Sequence, residues 1–300
     1  MIHYFKRIYY KFLQRKNSDE VFNSVINKFK IYLSVEQGLG KVTVEGYIKC
    51  IKKFIKSTGK LVPSKDVVLG YLAAFRNLEY SYSHIRNTTR LLWWYMKFWG
   101  MNLELKYPRK PERVIKDILT ELEIMRMINA CQNIKDRAII TLLSFTGIRM
   151  KELRQLRTKD IDIAKLTLTV INGKNSRDRV ICISAECAEL VSAFIARYDK
   201  EPEDYLFGDG QGGQVSAKLL RRLFRELVAK VMIRKKVSVH VFRHSLATNL
   251  LINGCDLITV QRQLGHKDIK TTLLYIQYSP EIFRKQYDRY IPKYIQEKIA

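Results

Sequence analysis

The sequence predicts a mainly α protein with a small β-sheet, divided into two domains, and three observations lead there. Apolar residues recur at helical spacing almost without a break from Asn17 to Gly100. One pair of β-branched runs, "LTLTVI" and "RVICIS", flanks "NGKNSRD", a hairpin signature with Asn172-Gly173 near the turn. Between these regions "LKYPRKPERVIKD" sets Pro108 and Pro111 among charges, the composition of an exposed linker. At 300 residues the chain exceeds the usual size of one core.

Four helices follow from the first region. "NSDEVFNSVINKFKIYLSVEQGLG" begins with Asn17 and Glu20 at capping-box spacing and stops at Gly38 and Gly40. "TVEGYIKCIKKFIKSTG" offers Thr43 as a cap and sets the lysines of "KCIKKFIK" around an apolar stripe, which reads equally as a solvated face or a binding face. "SKDVVLGYLAAFRN" and "SYSHIRNTTRLLWWYMKFWG" complete the set, with Trp93, Trp94 and Trp99 read as core residues. The expected domains are 1–103, with 1–16 as an N-terminal extension, then a linker over 104–117 and a second domain over 118–300.

The second domain opens with "TELE", Thr120 to Glu123, again at capping-box spacing. Helical patterns run through "DRAIITLLSFTG" to Gly147 and through "MKELRQL". After the hairpin everything reads as helix, apart from the glycine-rich "GDGQGG" at 208–213.

Lys and Arg number 54 against 29 Asp and Glu, a net charge of +25, and the excess is carried by both halves. Such a field favours a polyanion such as nucleic acid. A membrane is the weaker partner, because no long apolar run or signal-type N-terminus is present. Five cysteines without a CxxC speak against a disulfide framework or a zinc site and for a reduced, cytoplasmic protein.

The residues that could carry chemistry are individually ordinary. "HVFRHSLATNLL" puts His240 and Arg243 one turn apart, so two cationic-capable groups share a small volume and ask for an anion; alone, they could be two surface residues. In "FTGIRMKEL", Glu152 lies one turn after Arg149 and could orient its guanidinium, the natural clamp for phosphate oxygens. Lys174 stands at the hairpin tip. In "LGHKDIKTTLLYIQYS", His266 lies between Gly265 and Asp268, which read as a turn and the cap of a new short helix, and Tyr275 lies on that separate helix with Tyr278 as its local competitor.

Taken together and in order, "TGIRMKEL", "GKNSRDR", "HVFRHSLAT" and "LGHKDIKTTLLY" resemble the tyrosine recombinase (phage integrase) family. More weakly, "GLGKVTVEGY" resembles the start of that family's core-binding domain, with Gly40 where serine is usual. The resemblance implies an N-terminal four-helix core-binding (SAM-like) domain and an α+β catalytic domain. It also implies a catalytic set of Arg149, Lys174, His240, Arg243, His266 and the nucleophile Tyr275, supported by Glu152. By the same resemblance Lys174 is the general acid, His240 helps move the tyrosine proton, and no metal, ATP or other cofactor takes part.

The implied partners are double-stranded DNA with inverted-repeat half-sites, a second copy on one site and four copies in the synapse, with room for an accessory protein and none for a membrane. The last segment, about 280–300, is expected to dock on a neighbouring protomer. The compact two-domain length looks most like Xer-type recombinases, acting at the nucleoid to resolve chromosome or plasmid dimers. The integrase of a mobile element and a catalytically silent DNA-binding scaffold are the alternatives.

Overall fold

The computed structural model describes residues 18–78, 80–102, 104–107, 109, 118–171, 178–266 and 268–277, together with 284, 288 and 289. The chain forms two compact units, Met1–Arg113 and Val114–Ala300. Among the described residues it is mainly helical, with one three-stranded antiparallel sheet, as the sequence predicts.

The first unit contains α1 (Ser18–Ile31), a π turn that prolongs it (Tyr32–Glu36), α2 (Lys41–Thr58), α3 (Lys65–Asn77) and α4 (Tyr82–Phe98). The capping site expected at Asn17 lies outside the described residues. Helix α2 begins two residues before Thr43, so that residue is not its cap. Gly40 holds the cap position in an extended conformation, and Thr43 already donates its backbone N–H to the Gly40 carbonyl at 2.9 Å. Ser64 and Ser81 do cap α3 and α4 with their side chains.

Phe29, Leu33, Ile51, Phe54, Leu92 and Tyr95 form the centre of this core. The Tyr95 hydroxyl donates to the Leu61 carbonyl at 2.6 Å, which satisfies its one polar atom. Trp99 is buried there, whereas Trp93 and Trp94 are half-buried with the Lys97 ammonium over both rings. On α2, Ile51, Phe54 and Ile55 face the core while Lys49, Lys52, Lys53 and Lys56 are exposed.

The second unit begins with α5 (Glu121–Ala130), closed by the expected capping box: Glu123 N–H donates to Thr120 Oγ1 and Thr120 N–H to Glu123 Oε2. Helix α6 (Ile134–Thr146) ends at Gly147 and is followed by α7 (Met150–Gln155). Strands β1 (Ile161–Asp162), β2 (Thr167–Val170) and β3 (Arg179–Cys182) make the sheet in that order, with buried Leu168 opposite buried Ile181. Strand β1 has no counterpart in the sequence reading, because two residues carry no periodicity. The hairpin turn, 172–177, lies outside the described residues.

Helices α8 (Ala185–Arg197), α9 (Ala217–Lys230), α10 (Val239–Ile252), α11 (Leu257–Leu264) and α12 (Lys270–Gln277) follow. In the loop at 208–213, the Asp209 carboxylate accepts the N–H groups of Gln211 and Gly213 and so closes the turn. The main core joins α6, the sheet and α8 through residues such as Leu142, Leu168, Val191 and Phe194. A smaller cluster of Ala247, Leu251, Val260, Leu264 and Tyr275 seats α12 on α10 and α11. Ser245, fully buried on α10, accepts the Leu119 N–H at 2.7 Å and ties the start of the unit to this centre. Among the described residues no helix is long and apolar enough to cross a membrane.

Candidate active site

The site is assembled where helix ends meet. Helix α6 terminates because Gly147 adopts φ +58°, a left-handed conformation open to glycine. The chain reverses there, and Arg149 becomes the residue preceding α7. Glu152, one turn on, accepts the Arg149 backbone N–H at 2.8 Å and its guanidinium at 2.7 Å, so one carboxylate fixes both ends of the arginine. The expected Arg149–Glu152 pairing is therefore present. A second guanidinium, Arg179 from the start of β3, holds the same carboxylate with bonds of 3.0 and 2.8 Å.

Arg243 is anchored differently. It is 4% exposed and donates to the carbonyls of Gly147 and Leu264, orphan acceptors at the C-terminal ends of α6 and α11. The approach is close enough that a Cβ on Gly147 would stand 2.9 Å from Leu264 Cδ2. Burial, then the neighbouring Arg149, lowers the Arg243 pKa to about 10.

Tyr275 is 3% exposed, with its hydroxyl 2.8 Å from His244 Nδ1 and hydrogen-bonded to it. Its ring lies parallel to that of His266, centroids 6.3 Å apart. His266 Nδ1 is hydrogen-bonded in turn to Thr272 Oγ1 at 2.8 Å, and Thr272 is fully buried one turn before Tyr275 on α12. Burial, with Arg243 and Arg149 as the next causes, lowers the His266 pKa to about 4, so its ring is neutral at pH 7. Burial raises the Tyr275 pKa above its ordinary value, partly offset by Arg243. Glu152 moves the other way, to about 2, because the hydrogen bonds and charges of the two arginines outweigh its own desolvation.

Of the residues singled out in the sequence, the structure thus joins Arg149, Glu152, Arg243, His266 and Tyr275 in one neighbourhood. His240 is exposed in the first turn of α10 and makes no hydrogen bond among the described residues. Lys174 lies outside them. Two residues were missed. Arg179 carries no local signal, since only strand pairing brings it to Glu152. His244 was visible as the residue after Arg243, and its importance appears only once α12 places the Tyr275 hydroxyl against it.

Three guanidinium groups face one carboxylate, leaving an excess of fixed positive charge beside a phenol. The Arg149 side chain is 42% exposed and keeps donors available to an incoming anion. Arg243, whose charge lies close enough to Tyr275 to oppose the rise in its pKa, links that exposed guanidinium to the tyrosine.

Comparisons with known proteins identify the family. The model of the phage integrase family matches residues 117–281. The tyrosine recombinase XerA of Pyrococcus horikoshii is 31% identical over 282 residues, covering 91% of this chain and 96% of that protein. XerD of Halalkalibacterium halodurans is 26% identical, covering 91% and 99%. Among solved structures, a XerA recombinase is 25% identical with a TM-score of 0.55, covering 91% of this chain and all of that one. A XerH recombinase bound to its difH substrate shares the fold at 19% identity and a TM-score of 0.66, covering 87% and 86%. The chain belongs to the phage integrase family, the tyrosine recombinases.

Proposed function

We propose that this recombinase cuts and rejoins DNA through Tyr275, whose oxygen attacks a phosphodiester to give a 3′-phosphotyrosine and a free 5′-hydroxyl. The observation that carries the reading is the position of the Tyr275 hydroxyl beside the Arg243, Arg149 and His266 cluster. The attacked phosphate gains negative charge as a fifth oxygen approaches, and fixed cations that tighten on it lower the barrier.

Arg149 and Arg243 hold the non-bridging oxygens, and neutral His266 donates a further hydrogen bond to one of them. With Nδ1 engaged by Thr272, the opposite ring nitrogen, Nε2, is the one that serves the phosphate. Glu152 positions Arg149 and Arg179. Lys174 protonates the departing 5′-oxygen, a role that rests on the family resemblance. His240, one helical turn before His244, helps carry the tyrosine proton away. The covalent link conserves the energy of the phosphodiester, so a 5′-hydroxyl can reverse the step without ATP.

Double-stranded DNA is the substrate, read as inverted half-sites by the two domains. The net charge of +25 and the DNA-bound recombinases among the structural relatives support that partner. A dimer on each site and a tetramer in the synapse complete the reading, with the segment about 280–300 docking between protomers and an accessory protein possible. Full-length likeness to the archaeal XerA and bacterial XerD proteins supports resolution of chromosome or plasmid dimers in the cytoplasm.

The experiment is denaturing gel electrophoresis of the protein incubated with a nicked duplex carrying a candidate inverted-repeat site, without added metal. A band that survives denaturant, disappears with protease and is absent from Tyr275→Phe is expected. Tight site binding with no such band would sink the catalytic reading and leave a protein that only binds.

A further inference from the structure

We propose that His244 is a catalytic residue, the direct acceptor of the Tyr275 phenolic proton during strand cleavage. The inference rests on the reading of Tyr275 as nucleophile. Among the described residues, His244 is the one side chain hydrogen-bonded to the Tyr275 hydroxyl, at 2.8 Å through Nδ1. A general base must stand within that reach of the proton it takes.

The other bases of the site are otherwise engaged. His266 lies parallel to the Tyr275 ring and has its Nδ1 held by Thr272. Glu152 is bonded to two guanidinium groups, which make its carboxylate a poor acceptor. His240 is exposed one turn away on α10. Tyr275 itself is buried, so solvent water does not take its proton directly in this state.

His244 is half-buried on α10, immediately after Arg243. Arg243 on its own helix and His266 after α11 lie nearest the pair of His244 and Tyr275, and Arg149, Glu152 and Arg179 act in turn on Arg243. An incoming phosphodiester brings negative charge that stabilises the imidazolium formed when His244 takes the proton.

In the step itself, the Tyr275 Oη–P bond forms as the P–O5′ bond breaks. The Oη proton passes to His244 Nδ1, and the departing 5′-oxygen takes its proton from the acid assigned to Lys174. Rejoining reverses both transfers, with the His244 imidazolium returning its proton to the leaving tyrosine oxygen. No oxidant, reductant or metal is needed to balance the step.

The test is single-turnover formation of the covalent complex on the nicked duplex, across pH 5.5 to 9.5 (roughly the span over which imidazole and then phenol ionise), with wild type, His244→Asn and His244→Ala. Asparagine places an amide near Nδ1 and can hold the phenol without taking its proton. Both variants should bind the duplex as wild type does, yet cleave about 10²-fold more slowly at neutral pH. The wild-type limb below neutrality should vanish in both, replaced by a rate that climbs with pH as the phenol ionises unaided. Wild-type rates and an unchanged limb in His244→Asn would overturn the proposal, as would a defect in alanine that asparagine restores, since that marks a holding role. Absence of the covalent complex from wild type would instead bring down the nucleophile reading, and this inference with it.

Discussion

The Glu152 carboxylate is shared by Arg149 and Arg179, with bonds of 2.7 Å to the first and 2.8 and 3.0 Å to the second. One acidic side chain from the first turn of α7 therefore joins the end of α6 to the sheet and sets the position of two cations. Its pKa of about 2 lies below the ordinary 4.5, so ionised Glu152 favours the folded state. That contribution is complete above about pH 4.5 and is lost as pH falls through about 2.

Glu152→Gln should destabilise the second domain by about 2 kcal/mol at pH 7, since two guanidinium groups lose their charged acceptor. The difference between variant and wild type should shrink as pH is lowered from about 4.5 towards 2. Urea unfolding at a series of pH values measures both.

Arg243→Lys should reduce cleavage by at least about 10²-fold while the charge is retained. An ammonium cannot donate to the Gly147 and Leu264 carbonyls at once and also face a phosphate, which the planar guanidinium is shaped to do. Single-turnover cleavage beside duplex binding checks it; equal losses in both would point to a general electrostatic effect.

Gly265→Ala should disturb the site from outside it. Gly265 has φ +65°, and a Cβ there would fall 2.4 Å from Arg179 Cδ and Nε. The strain and the displaced guanidinium should together cost about 1–3 kcal/mol, with cleavage lowered because Glu152 loses a partner. Thermal unfolding and covalent-complex yield are the measurements.

His266 should titrate near pH 4 in the free protein, well below an ordinary histidine. Because its folded-state pKa is lowered, its contribution to stability is full above about 6.5 and is lost as pH falls towards about 4. Binding a DNA phosphate should raise that pKa, since the anion offsets Arg243 and Arg149. NMR titration of the ring protons, free and with a half-site duplex, reads both values.

Much of the fold was legible because its signals are local. The "TELE" capping box, the glycine ends of α6 and α11 and the two β-branched runs each act over a few residues, and each reappears in place. Thr43 was misplaced because the backbone at Gly40 starts α2 without a side-chain cap. The site was legible as an ordered set of motifs, from which the proximity of Arg149, Arg243, His266 and Tyr275 follows. Arg179 and His244 were not, because their roles depend on how β3 meets α7 and how α12 meets α10, which no spacing along the chain encodes.

Peptide mapping of the covalent complex, after nuclease digestion of its DNA and trypsin cleavage of the protein, addresses the nucleophile itself. Residues 271–284 fall in one tryptic peptide, which contains both Tyr275 and Tyr278. Fragmentation should place a 3′-nucleotide adduct on Tyr275, as its hydroxyl position beside Arg243 and His244 requires. An adduct on Tyr278, or on a peptide elsewhere in the chain, would contradict the assignment and the mechanism built on it.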